Sequence, residues 1–204
     1  MDMPQRGRVR SLTVLSMKKR LILIIAAALL CLTAQQARAQ RWSIGTNVVD
    51  YLNLGTLNAE AGVAVAQHFS LHAGARYNPW TFNRADEERQ FQNRKRCYYG
   101  GVRYWPWHIY SGWWAGVQGQ YQEYNRGGLF RRETEEGDAY GAGLSVGYTL
   151  MVHKRLNVEF GAGAWAGKTR YTTYACPYCG KVLDKGEKFF ILPNDVMVSL
   201  VYIF

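Results

Sequence analysis

The sequence predicts an all-β chain: an eight-stranded antiparallel up-and-down transmembrane β-barrel that follows a cleaved signal peptide. Three observations predict it. Segments of about 9 to 11 residues alternate between an apolar face and a small or polar one. The connections between them alternate between short and long. The last segment, Asp195 to Phe204, puts Val196, Val198, Leu200, Tyr202 and Phe204 on one face, so the final strand carries apolar side chains to its last residue, where an undocked end would fray.

The leader comes first in the chain. Met17-Lys18-Lys19-Arg20, the apolar run Leu21 to Leu32 and Ala37-Arg38-Ala39 form a basic n-region, a short h-region and an A-x-A cleavage site. Cleavage is expected after Ala39, residues 1–16 read as an upstream extension, and Met17 is a second candidate start. The run falls short of the roughly 20 apolar residues of a spanning helix. Cys31 lacks a small residue directly before it and is not read as a lipidation site. Residues 40–204 then form one domain carrying 18 basic and 14 acidic residues, net +4 against +10 for the whole chain, which weakens basicity as an argument for nucleic acid.

The strands follow in order. Trp42 to Val49 sets Trp42, Ile44, Thr46 and Val48 against Ser43, Gly45 and Asn47. Leu57 to Ala66 sets Leu57, Ala59, Ala61, Val63 and Val65 against Asn58, Glu60, Gly62 and Ala64. Ser70 to Asn78 sets Leu71, Ala73, Ala75 and Tyr77 against Ser70, His72, Gly74, Arg76 and Asn78. Cys97 to Trp105 points Tyr98, Val102 and Tyr104 out and Tyr99, Gly101 and Arg103 in. Tyr110 to Tyr124 sets Trp113, Ala115, Val117 and Tyr121 against Gly116 and three glutamines. Tyr140 to Leu150 alternates without a break, Leu156 to Ala164 sets Leu156, Val158 and Phe160 against Asn157 and Glu159, and Asp195 to Phe204 is the last strand.

Turns are expected at 67–69, 106–109 and 151–155, and long loops at 79–96, 125–137 and 165–194, with 50–56 short. Short turns at one end and long loops at the other describe periplasmic turns and extracellular loops, and the even strand number leaves both termini periplasmic. Two aromatic belts are expected, Trp42, Phe69, Trp107, Tyr148 and Phe204 near the turns and Tyr51, Tyr77, Tyr121 and Tyr140 near the loops. A soluble up-and-down barrel around a small apolar ligand alternates too, with its apolar face inward. The Gly, Ser, Asn and Gln of the second face suit a narrow lumen better than a solvated exterior.

Two resemblances add to this reading. The Val196-to-Phe204 row resembles the carboxyl-terminal signature of bacterial outer-membrane barrels, which implies outer-membrane lipid and the barrel-insertion machinery as partners. The stretches Tyr99-Gly100-Gly101-Val102-Arg103-Tyr104-Trp105, Gly141 to Tyr148 and Lys154 to Phe160 resemble an uncharacterised outer-membrane barrel family of Bacteroidetes, a domain of unknown function that tends to occur beside fimbrial genes. That resemblance implies a fold and a fimbrial setting, and carries no catalytic residue.

Chemistry-bearing residues are few. The ionisable residues expected inside, Glu60, His72, Arg76, Arg103 and Glu159, read as a lumen pairing network rather than a conduction path, because an eight-stranded interior is filled by its own side chains and buried charges must pair. Glu60 with Arg76 is the first pair expected. Cys176-Pro177-Tyr178-Cys179-Gly180 matches a glutaredoxin-type dithiol and one zinc knuckle. It lacks the βαβ setting of the first and the second ligand pair of the other, so a disulfide between Cys176 and Cys179, or idle thiols, comes first. The redox state of Cys97 is open. His68, His108 and His153 fall in or beside turns and His72 points inward, which leaves no histidine for an outer-rim active site. The expectation is a non-enzymatic outer-membrane protein, without metal or cofactor, that anchors or presents loops 79–96 and 168–194 to a surface or fimbrial partner. The soluble periplasmic carrier is the alternative.

Overall fold

A computed structural model describes residues 41–83, 90–127, 133–176 and 180–204, the side chains of 194 and 195 excepted. The segment expected to be a signal peptide, residues 1–39, lies outside the described residues. The strands are β1 (Trp42–Asn47), β2 (Leu57–Ala66), β3 (Phe69–Asn78), β4 (Thr81–Phe82), β5 (Phe91–Tyr104), β6 (Gly112–Gly127), β7 (Thr134–His153), β8 (Leu156–Tyr174) and β9 (Val182–Ile203), with one short helix, α1 (Val48–Leu52). All described pairings are antiparallel, and the hydrogen bonding closes on itself: β3 pairs with β5, and β9 pairs with both β8 and β1. Among the described residues, eight strands pair around this ring. The ninth, β4, is two residues long and adds to the far end of β5.

The faces divide inside out. Ser70, His72, Arg76 and Asn78 of β3 are buried while Phe69, Leu71 and Tyr77 are exposed. On β6, Trp114, Gln118 and Gln120 are buried and Trp113, Val117 and Tyr121 exposed; on β7, Ser145 and Thr149 are buried and Leu144, Val146, Tyr148 and Leu150 exposed. Strand geometry converts the sequence alternation directly into these two faces. In the last strand Val196, Leu200, Tyr202 and Phe204 are exposed and Val198 is half-buried, while Met197, Val201 and Ile203 turn inward.

At the end of the short turns the interior is apolar. Trp105, Tyr110 and Trp114 meet Met197, Val201 and Ile203, with Trp105 edge-on to Tyr110 at 5.7 Å. Trp105 Nε1 donates to Ser70 Oγ at 3.0 Å and Tyr110 donates to the Arg41 carbonyl, so both polar tips are satisfied within the packing. Tyr110 sits at φ 60°, a left-handed turn conformation uncommon for a residue with a Cβ. Its ring is the anchor that holds the turn there.

The wall differs from expectation at the opposite end. It climbs around the ring, from 6 residues in β1 and 10 in β2 and β3 to 14, 16, 20, 19 and 22 in β5 to β9. The expected loops 125–137 and 165–194 are therefore mostly strand. β6 runs to Gly127, β7 starts at Thr134, β8 runs to Tyr174, and β9 starts at Val182. Up there both faces are mainly polar, Val182 and Leu183 of β9 excepted, so alternation of hydropathy disappears while backbone pairing continues in unbroken register from Tyr121↔Tyr140 to Gly127↔Thr134. The strand expected to begin at Cys97 likewise begins at Phe91.

The connection 50–56 is also corrected. β1 stops at Asn47, whose buried side chain accepts from Val49 N and from Val198 N, capping α1 and pinning it against β9. β1 pairs with β9 only over Ser199 to Ile203, and α1 continues the wall where β1 leaves off.

Candidate functional site

The interior holds two charge clusters one above the other. Arg103 of β5 presents Nη1 2.9 Å from Glu60 Oε1 and donates from Nη2 to Glu60 Oε2 at 3.1 Å, a two-pronged contact with β2. The same Nη1 lies 3.2 Å from Glu159 Oε1 of β8, and Thr149 donates to Glu159 Oε2 at 3.2 Å. The guanidinium also lies 4.5 Å from the Trp114 ring centroid, which seats the cluster on the apolar floor.

Above it, Arg76 does not meet Glu60. Its Nε lies 2.9 Å from Asp50 Oδ2 of α1, and its guanidinium covers the Tyr99 ring at 4.9 Å. The register sets the two on a diagonal, Glu60 opposite Gly74 and Arg76 opposite Asn58, and each is held by a partner from elsewhere in the ring. Glu60 instead reaches across the interior to Arg103, and α1 brings down a carboxylate for Arg76. His72 places Nε2 3.3 Å from Gln118 Oε1 and lies beside Tyr99, 6.4 Å between ring centroids. The structure therefore gathers Glu60, Arg103 and Glu159 into one contact set and puts Arg76 in another.

Asp50 escaped the sequence reading because α1 replaces an expected strand end. A signal was present: an acid between Val48-Val49 and Tyr51-Leu52 is costly unless it turns inward to a partner. Trp114, the cation's aromatic seat, was expected in a strand without a role.

The third cluster lies in the tall part of the wall. Glu135 of β7 accepts from Tyr124 at 2.9 Å, from Arg126 at 3.2 Å and from Lys188 at 3.2 Å, so it ties β6 and β9 to β7. Burial acts to raise the Glu135 carboxyl, but the hydrogen bonds from Tyr124 and Lys188 and the charges of Arg126 and Lys188 prevail and hold it below the ordinary carboxylate range. Burial, helped by the bond to Glu135 and opposed by that to Thr169, pushes the Tyr124 hydroxyl up to about 12. Lys188 lies over the Tyr171 ring at 4.3 Å, and Tyr171 donates to Asp184. Arg126, Glu135, Tyr171, Asp184 and Lys188 line an open cavity of about 900 Å³ whose other side is Leu52 to Leu54, at the end of α1. Glu135 falls within the expected loop 125–137, and nothing in the spacing of the acids from Glu133 to Asp138 marks it as different.

Cys176 is engaged in a disulfide, and Cys179, its expected partner, lies outside the described residues. Cys97 is a buried thiol on β5, its backbone opposite Arg76.

On the outer face two adjacent cross-strand rows change character. Tyr98, Tyr121, Tyr140, Lys168 and Phe189 are register partners in one row, and Arg96, Glu123, Asp138, Arg170 and Glu187 are partners in the next. Apolar exposure lies on one side of this step and charge on the other.

Neither the comparison with curated proteins nor that with solved structures gives a match. The family comparison does, over residues 23–204, with the family described as "Protein of unknown function (DUF3575)". Because the match spans most of the sequence, including every strand described above, the chain belongs to the DUF3575 family.

Proposed function

We propose that the chain is an integral outer-membrane protein, an eight-stranded transmembrane β-barrel with a plugged interior and a non-enzymatic role. The observation that carries this reading is the division of faces. Trp42, Val117, Leu144, Val146 and Leu150 stand in the open, while Arg76, Arg103 and Glu159 are buried. Water would penalise the first set, and an enclosed apolar cargo would penalise the second. Lipid outside and paired charge inside satisfy both. The soluble-carrier alternative needs the opposite arrangement.

The step from tyrosines to charges marks the outer interface of the bilayer, as aromatic belts do. β7 to β9, at 20, 19 and 22 residues, span about 60 to 75 Å, well beyond a hydrocarbon core of about 30 Å even when tilted. They raise a polar half-wall above the membrane. The role is anchoring and surface presentation: the half-wall and its 900 Å³ cavity meet a partner outside the cell, with fimbrial assembly as the setting that the family resemblance suggests. Two charge contacts across the lumen, sitting on a Trp and Tyr floor, favour a plug over a channel.

Membrane fractionation with unheated and heated gel migration tests the reading. The expected result is recovery with outer membranes and a shift in migration on heating. Recovery in the soluble fraction without detergent would sink it.

A further inference from the structure

Below the tyrosine row, the outward face carries a row of small residues. Gly100, Gly119, Ala142 and Ala166 are register partners in that order, and the row ends on Ile191 of β9. Val102, Val117 and Leu144 line it on one side, and the next register row on the other side is that of Tyr98, Tyr121 and Tyr140. The result is a groove of about 620 Å³ with an almost wholly apolar lining, crossing the outside of the wall from β5 to β9. Four interstrand spacings give it a length of about 19 Å. That is the reach of an extended acyl chain. Its floor has room to spare, since a Cβ built on Gly119 meets nothing within 4 Å.

The second observation is a charge. Lys168 follows Ala166 on the same face of β8, at the level of the tyrosines, and is exposed. The cations of the row above it are matched: Arg170 binds Glu187 at 2.6 Å and Arg96 lies 3.9 Å from Glu123. Among the described residues Lys168 has no such partner. One unmatched cation thus stands at the bilayer surface directly above an apolar groove.

We infer that this groove and Lys168 form a binding site for one acidic lipid of the surrounding leaflet, an acyl chain lying across Gly119 and Ala142 and a phosphoryl headgroup on Lys168. The inference rests on the membrane reading above. A lysine near an anionic headgroup supplies the selectivity, and contact with the small-residue floor supplies the shape.

The test is native mass spectrometry of the full chain in detergent, titrated with phosphatidylglycerol or with phosphatidylcholine of identical acyl chains. The wild type is expected to retain one phosphatidylglycerol with a preference of about fivefold, the worth of one lysine at such a surface. Gly119→Leu fills open space in the groove and is expected to lower retention of that lipid about tenfold, the loss of a few buried methylenes. Lys168→Gln is expected to bring the two lipids to equal retention. Heat-modifiable migration reports folding of each variant. Undiminished binding in Gly119→Leu overturns the inference, as does a headgroup preference that survives Lys168→Gln. Loss of a lipid-free dimer in Gly119→Leu also overturns it and assigns the groove to a second copy. A wild type that needs no detergent and shows no heat shift fails the membrane reading instead, which separates the two failures.

Discussion

The guanidinium of Arg103 on β5 lies 3.2 Å from the carboxylate of Glu159 on β8, although β6 and β7 stand between those strands in the ring. Their side chains are 7 % and 4 % exposed, so the contact spans the interior and is shielded from water. Glu60 on β2 completes the set from a third direction. One cation therefore holds three sectors of the wall.

Removing that cation leaves two carboxylates buried beside each other. Arg103→Met is expected to destabilise the folded protein by about 3 to 5 kcal/mol, read from denaturant unfolding in lipid vesicles. Adding Glu60→Leu and Glu159→Leu should recover most of that loss, because an apolar set of similar volume has no charge to desolvate. A triple variant as unstable as the single one would contradict the pairing account.

Arg76 and Asp50 offer a cleaner partition. A double-mutant cycle with Arg76→Gln and Asp50→Asn should return a coupling of about 1 to 3 kcal/mol, whereas Arg76→Gln with Glu60→Gln should be near additive. The reverse outcome would restore the pairing expected from adjacent strands.

Glu135 gives the tall half-wall a pH dependence whose sign follows from its lowered pKa. A carboxyl depressed in the folded state adds stability that is complete above its unfolded pKa and is lost as pH falls through the folded one. Hydrogen exchange of residues 122–126 and 134–136, corrected for intrinsic rates, should therefore rise in acid below the ordinary carboxylate range. In Glu135→Gln this acid-induced loss of protection should be smaller, with protection already reduced at neutral pH. An unchanged acid profile in that variant would remove Glu135 as the tie.

Thiol accessibility separates the cysteines. Cys97 is fully buried and should resist maleimide until the protein is unfolded, and Cys176 should label only after reduction. Labelling of Cys176 in the oxidised folded protein would contradict its disulfide.

How far the sequence could be read depended on contrast between faces. Tyr140 to Leu150 announces a strand because apolar and small residues alternate, and the structure places those two sets outside and inside. Thr169 to Tyr174 has polar or aromatic residues on both faces, so nothing in its pattern distinguishes strand from loop, yet it pairs with β7 and β9 throughout. Glu60 and Arg76 look like natural partners on adjacent strands, yet Glu60 is held by Arg103 and Arg76 by Asp50.

By itself, then, the amino-acid sequence determined the antiparallel strands of the lower wall and which of their side chains turn inward, since a period of two is local and needs only a backbone. Closure of the ring, the height to which β6 to β9 climb, and the choice of Asp50 for Arg76 and Arg103 for Glu60 were decided by tertiary structure. The physical reason is reach. A charge buried in a closed interior takes whichever opposite charge its side chain can touch across the hollow, and only the folded wall sets that distance.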